Sequence, residues 1–111
     1  MASSKEYLDF ILGQLSGLRG ITWRAMMGEF ILYYNGRVAG GIFDDRLLVK
    51  PVSAAKKLMP DARMELPYES GKEMLLVEEV DNREFLQMLF PAIYDELPEP
   101  KKKPKQPVPR L

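Results

Sequence analysis

Any chemistry in this sequence has to come from carboxylates, amines, guanidinium groups and hydroxyls, because its 111 residues include no histidine and no cysteine. The usual general base, the thiolate nucleophile and the sulfur ligands of zinc are therefore all missing. The densest grouping of useful side chains is Arg24-Ala25-Met26-Met27-Gly28-Glu29. Arg24 and Glu29 flank a backbone that Gly28 would let a partner or small ligand approach closely. With Lys50, at the end of a later apolar run, they make Arg24, Met27, Gly28, Glu29 and Lys50 the candidate ligand- or partner-binding residues. The competing account, which the residue pattern favours, is that Gly28 marks a bulge in a strand.

Other clusters have simpler explanations than chemistry. Asp44-Asp45 offers two carboxylates, but neighbours on a strand point to opposite faces and two carboxylates rarely make a metal or acid–base site, so a turn is expected. Glu78, Glu79 and Asp81 would suit a hard cation, yet a strand end followed by a helix cap accounts for them. Gly40-Gly41 lies in no phosphate-loop or dinucleotide pattern, and close approach of a helix to a strand is the expected reason for it. Trp23, Tyr33 and Tyr34 would stack on bases if they shared an open sheet, but only Arg24 and Arg37 are interleaved with them, and core packing is expected instead. No catalytic residue, metal ligand or cofactor is assigned, and a non-enzyme is expected.

The net charge of zero hides a segregation. Lys101, Lys102, Lys103, Lys105 and Arg110 give the last eleven residues a charge of +5, while eleven basic and sixteen acidic residues leave positions 1–100 at −5. Those five basic residues are the candidate nucleic-acid contacts, acting by counterion release with weak, salt-sensitive and sequence-independent affinity. Residues 98–111 combine prolines with charge and almost no apolar side chains, which predicts a disordered Pro/Lys-rich tail. No apolar run approaches the ~20 residues of a membrane-spanning helix, and residues 1–6 lack the basic-then-apolar order of a secretory signal. A cytoplasmic protein away from membranes is expected.

The elements that must position these residues follow from periodicity. Ser3 and Glu6 stand at capping-box spacing before Tyr7, Ile11, Leu15 and Leu18, predicting an amphipathic helix over roughly 4–18. Short runs with turn residues then predict antiparallel strands over 21–26, 29–34, 37–43 and 46–50. Asn35-Gly36 suits a type I′ hairpin. A short helix is expected over 53–59, stopped by Pro60, followed by a loop over 60–71 and a strand over 74–78. Asp81 and Glu84 open a second long helix with Phe85, Leu86, Leu89, Phe90 and Ile93 on its apolar face, and Pro91 is expected to break it. The fold class is α+β: a two-layer arrangement of an antiparallel sheet of four to five strands, with two long helices on one face and a short third helix.

Three runs agree with a known family in order and spacing as well as residue type. They are Arg24-Ala25-Met26-Met27-Gly28-Glu29-Phe30-Ile31-Leu32-Tyr33, then Asn35-Gly36-Arg37-Val38-Ala39-Gly40-Gly41-Ile42, then Arg46-Leu47-Leu48-Val49-Lys50. With the leading helix and a closing helix that ends in Glu96-Leu97-Pro98, residues 1–97 resemble the N-terminal domain of the TfoX (Sxy) family. Met27 stands where that family commonly has phenylalanine, and the family's second domain has no counterpart in these 111 residues. The resemblance implies an α+β domain in a family named for regulators of bacterial natural competence and DNA uptake, and it implies no catalysis. The function expected is a regulatory or protein-interaction module with an unidentified protein partner or a second copy of itself. The alternative is a nucleic-acid-binding accessory protein using the basic tail.

Overall fold

A computed structural model describes residues 3–69 and 71–98. The basic tail residues Lys101, Lys102, Lys103, Lys105 and Arg110, and the disorder expected of them, lie outside the described residues.

The described chain opens with α1 (Lys5–Gln14), continues through β1 (Ile21–Met26), β2 (Glu29–Tyr34), β3 (Arg37–Ile42) and β4 (Leu47–Val49), and reaches the short α2 (Ser53–Leu58). After it come β5 (Met64–Glu65), β6 (Met74–Val77), α3 (Arg83–Ile93) and a 3-10 turn over Tyr94–Glu96. The strands form one antiparallel sheet in the order β1-β2-β3-β4-β6-β5. The α+β class agrees with expectation, but the sheet has six strands. The extra one is the two-residue β5, in a stretch expected to be loop. Met64 and Glu65 become a strand because they pair with Leu75 and Met74 of β6, a partner eleven to nine positions away that no local pattern reveals.

Each of the first three strand connections is a two-residue turn with positive φ at both central positions: Met27 and Gly28 (52° and 86°), Asn35 and Gly36 (49° and 86°), Asp44 and Asp45 (55° and 54°). This is the signature of the type I′ turn, whose twist matches that of the strands it joins. The Asn35-Gly36 and Asp44-Asp45 turns agree with expectation. Met27-Gly28 corrects the bulge reading, since both residues form the β1–β2 turn. The irregularity in this part of the sheet is elsewhere: Leu32 pairs with Gly40 and Tyr33 with Val38, leaving Ala39 as the extra residue of β3.

Alternation sorts the strand side chains between two faces. Leu32, Ile42, Leu47, Val49, Leu75 and Val77 share one buried cluster with Leu8, Ile11 and Leu15 of the first helical segment and Leu86, Leu89, Phe90 and Ile93 of α3. Ile31, Leu48, Met74 and Leu76 point the other way and gather around Phe43. Ala55 of α2 belongs to the first cluster too, so among the described residues every helix with buried side chains packs on the same side.

Three further expectations are corrected. α1 ends at Gln14 rather than 18, in a stretch where Gly13 and Gly17 weaken the helix, and its cap is Ser4, whose side chain accepts from the Tyr7 N–H, not Ser3. α3 is likewise capped one residue later than expected, by Asn82 accepting from the Phe85 N–H. Pro91 does not break α3, which runs through it to Ile93. Leu89 and Phe90 before the proline and Ile93 after it are fully buried, and that packing outweighs one missing hydrogen bond near a helix end. The glycine pair is not spaced for a helix either. A Cβ on Gly40 would lie 2.0 Å from the Leu48 carbonyl oxygen of β4, and one on Gly41 would meet the Phe43 ring at 2.5 Å.

Candidate functional site

The five candidate residues do not converge. Glu29 is the one buried charged side chain of the described residues, 8% exposed, and its Oε1 accepts the Ser3 hydroxyl at 2.6 Å and the Asp44 N–H at 3.1 Å. The Ser3 hydroxyl oxygen in turn accepts the Asp45 N–H at 3.0 Å, and the Ser3 N–H donates to the Gly28 carbonyl at 3.0 Å. Asp45 Oδ1 accepts the Ser4 N–H at 2.8 Å, directly before α1. Glu29 therefore ties together the chain start, the β1–β2 turn and the β3–β4 turn, through a hydroxyl and a backbone donor that both bind Oε1. None of these bonds was visible in the sequence, because Ser3 and Asp45 are 42 positions apart.

Tyr7, on the first turn of α1, borders this network. Burial raises its hydroxyl pKa above the usual tyrosine value, and the nearby negative charges of Asp45 and Asp81 raise it further.

Arg24 is exposed on β1, where it pairs with Ile31 of β2 and makes no ion pair with Glu29 among the described residues. Lys50 follows β4, its N–H bonded to the Ala39 carbonyl at 2.9 Å, and its strand is separated from β1 by β2 and β3. Met27 and Gly28 occupy the hairpin tip. Met27 is 93% exposed and holds a φ of 52°, an unfavourable backbone region for a long apolar side chain with no local hydrogen bond to offer.

β1 forms one edge of the sheet, and most of its residues are exposed. The Asn35 N–H donates to the Gly20 carbonyl at 2.9 Å, which sets the alternation of the β1–β2 ladder. Counting along the pairs from Gly20, Thr22 and Arg24 point their backbone groups inward to β2, while Trp23 and Ala25 point theirs outward. Trp23 is 41% exposed and sets its ring edge-on to Phe30 at 5.5 Å.

The aromatic residues do not form one stacking platform. Trp23 pairs with Leu32 and Tyr33 with Thr22, which puts them on opposite faces. Tyr34 packs edge-on against Phe90 and Tyr94, and Arg37 stacks over the Tyr94 ring at 4.5 Å while donating to the Tyr94 carbonyl.

Two clefts lie away from the hairpin tip. A cleft of about 190 Å³ is bordered by Asp61, Glu78 and Glu79 with Leu58 and Phe85. No group of three or more carboxylates among the described residues is placed to hold a metal ion. A larger cleft of about 360 Å³ lies on the sheet face away from the helices and includes Lys50, with Lys72, Tyr68 and Phe43. Lys72 and Tyr68 carry no sequence signal of a site, since they lie in the irregular segment between β5 and β6.

These features define a class: an α+β domain with a six-stranded antiparallel sheet, an exposed edge strand β1 and an exposed hairpin tip. The chain is similar to a protein of Spirochaeta aurantia described as an uncharacterized 12.7 kDa protein in the trpE 5′ region, with 28% identity over 80 residues that cover 72% of this chain and 70% of that one. No family model matches the chain, and no solved structure matches it. Among the described residues no helix is long and apolar enough to cross a membrane.

Proposed function

We propose that this chain is a regulatory protein-interaction module, of the kind the TfoX N-terminal domain resemblance implies, and that its contact surface is the outer edge of β1 with the Met27 hairpin tip. The observation that carries this reading is Met27 itself: an apolar side chain 93% exposed on a left-handed backbone. The left-handed backbone costs stability in the isolated chain, residues kept under such a cost cluster at contact sites, and the exposed apolar side chain gives a partner something to bury. The adjacent edge supports it, because outward N–H and C=O groups on Trp23 and Ala25 suit an added strand from a partner, which gains affinity from backbone hydrogen bonds. A second copy of the chain, paired antiparallel edge to edge, satisfies the same geometry.

The test is retention of host proteins by the full chain and by the Ala25→Pro and Met27→Asn variants, after nuclease treatment, with self-association followed by sedimentation. Ala25→Pro removes an outward N–H and leaves the β2 ladder intact. Met27→Asn removes the apolar tip while suiting the turn, and is expected to raise stability by about 1 kcal/mol. A partner or dimer lost in both variants supports the reading. A partner retained equally by wild type and both variants, or none at all, rejects it. Nucleic acid recovered by the full chain and not by a truncation ending at Leu97 would put the nucleic-acid reading in its place.

A further inference from the structure

The sheet face turned away from the helices is partly roofed by the chain itself. Arg46 anchors the start of the roof, donating from Nη1 to the Glu65 carboxylate at 2.9 Å and from Nη2 to the Leu66 carbonyl at 3.0 Å. Pro67 is then buried, and Tyr68 packs edge-on against the Phe43 ring with the centroids 6.0 Å apart. The cleft of about 360 Å³ lies where this segment meets β2 and β3, a volume within the range of small-molecule sites. Its apolar lining includes Ile31, Val38, Phe43, Pro67 and Met74, with Tyr68 beside them.

Among the described residues, the charged ones that line it are Lys50 and Lys72, with no carboxylate. That sign runs against the chain, whose first hundred residues carry a net −5. Neither lysine is ion-paired among the described residues, although Lys5 and Arg46 are. The two amines come from separate parts of the chain, one after β4 and one before β6, and Arg24 adds a third cation on the same face one strand beyond Ile31. A simple inorganic anion would leave the apolar lining in water. A neutral apolar molecule would desolvate the amines without pairing them. An anionic head with an apolar body satisfies both, and the attraction strengthens as the body displaces water.

We infer that this cleft is a binding site for a small amphipathic monoanion, an aryl- or alkyl-carboxylate, with its head on Lys50 and Lys72 and its body against Ile31, Phe43, Tyr68 and Met74. This site is distinct from the β1 edge, and it stands whether or not the edge binds a partner.

The experiment is a titration of the isotope-labelled full chain, followed by backbone amide shifts, with 4-phenylbutyrate and with 4-phenylbutyramide as its neutral counterpart. Saturable shifts are expected at Ile31, Val38, Gly71 and Met74 for the carboxylate, with a dissociation constant roughly millimolar or tighter. The amide should bind about ten-fold more weakly, Lys50→Met and Lys72→Met should each weaken the carboxylate about three-fold, and Lys50→Arg and Lys72→Arg should retain it. Lys56→Met, on the exposed side of α2, should change nothing. The arginine variants keep the test valid if a methionine variant fails to fold. Equal affinity for acid and amide overturns the inference, as does unchanged affinity in a folded variant that combines Lys50→Met with Lys72→Met. Absence of saturable shifts from arylalkanoates of every chain length up to their solubility limits also overturns it.

Discussion

Glu29 shows how a residue that looks like a site can instead be a fastener. Its carboxylate accepts from Ser3 and Asp44, and Ser3 passes the connection to Asp45. Glu29→Ala should cost about 1 kcal/mol, because it leaves two part-buried donors without their charged acceptor. Glu29→Gln should cost less, since an amide oxygen still accepts, and the difference between the two urea midpoints measures what the charge adds. Tyr7 gives this region a pH dependence. Its folded-state pKa is raised, by burial first and by Asp45 and Asp81 second. The folded protein therefore holds the phenolic proton more tightly than the unfolded chain, and this contribution is fully present below the unfolded value near 10. It is lost as pH rises through the raised folded value. Unfolding midpoints measured from pH 8 upward should fall on the alkaline side, and Tyr7→Phe, which keeps the ring against Phe10, should flatten that fall. The residue types needed for this network stand in the sequence. Their meeting does not, since it depends on two turns coming together beside the chain start.

The elements were the most legible level, and the misses share a cause. β1 over 21–26 and β2 over 29–34 follow from alternation and from the turn at Asn35-Gly36, and both occupy those spans. α1 stops short, α3 passes through Pro91, and β5 arises inside an expected loop. In the last two cases contacts from distant segments overrule the local preference. The glycine pair behaves the same way: the sequence asks for close approach, and the structure says of what. Gly41→Ala would drive a methyl into the Phe43 ring and the Phe30 carbonyl oxygen, 2.5 and 2.6 Å away, and should destabilise by about 2–3 kcal/mol. Phe43 would be pushed off the sheet, so the tyrosine it holds, Tyr68, should gain exposure. Thermal unfolding gives the first quantity, and tyrosine accessibility to a quencher gives the second.

At the scale of the whole molecule, the end of the described chain closes the core. Leu97 is 3% exposed within the helix-side cluster, and Arg37 of β3 donates to the Leu97 and Tyr94 carbonyls at 3.4 and 3.2 Å. Leu97→Ala should therefore cost about 2–4 kcal/mol, the range for a truncated core leucine, and denaturant unfolding checks it. Arg37→Lys should cost less but still loosen the turn, since an ammonium cannot match the guanidinium over Tyr94. The open β1 edge and the roofed cleft also exist only at this scale, because each is made by what the sheet order leaves uncovered. The sequence by itself determined the α+β class, the first two strands and the Asn35-Gly36 and Asp44-Asp45 turns, since each is built from patterns within one turn or one period, and the charge split, which is composition alone. Only the tertiary structure decided that Glu29 is tied to Ser3, that Lys50 shares a cleft with Lys72, and that Met27 and Gly28 make a tip. Those outcomes rest on contacts between segments far apart in sequence, or on a backbone conformation that a bulky residue adopts only when the strands on either side hold it there.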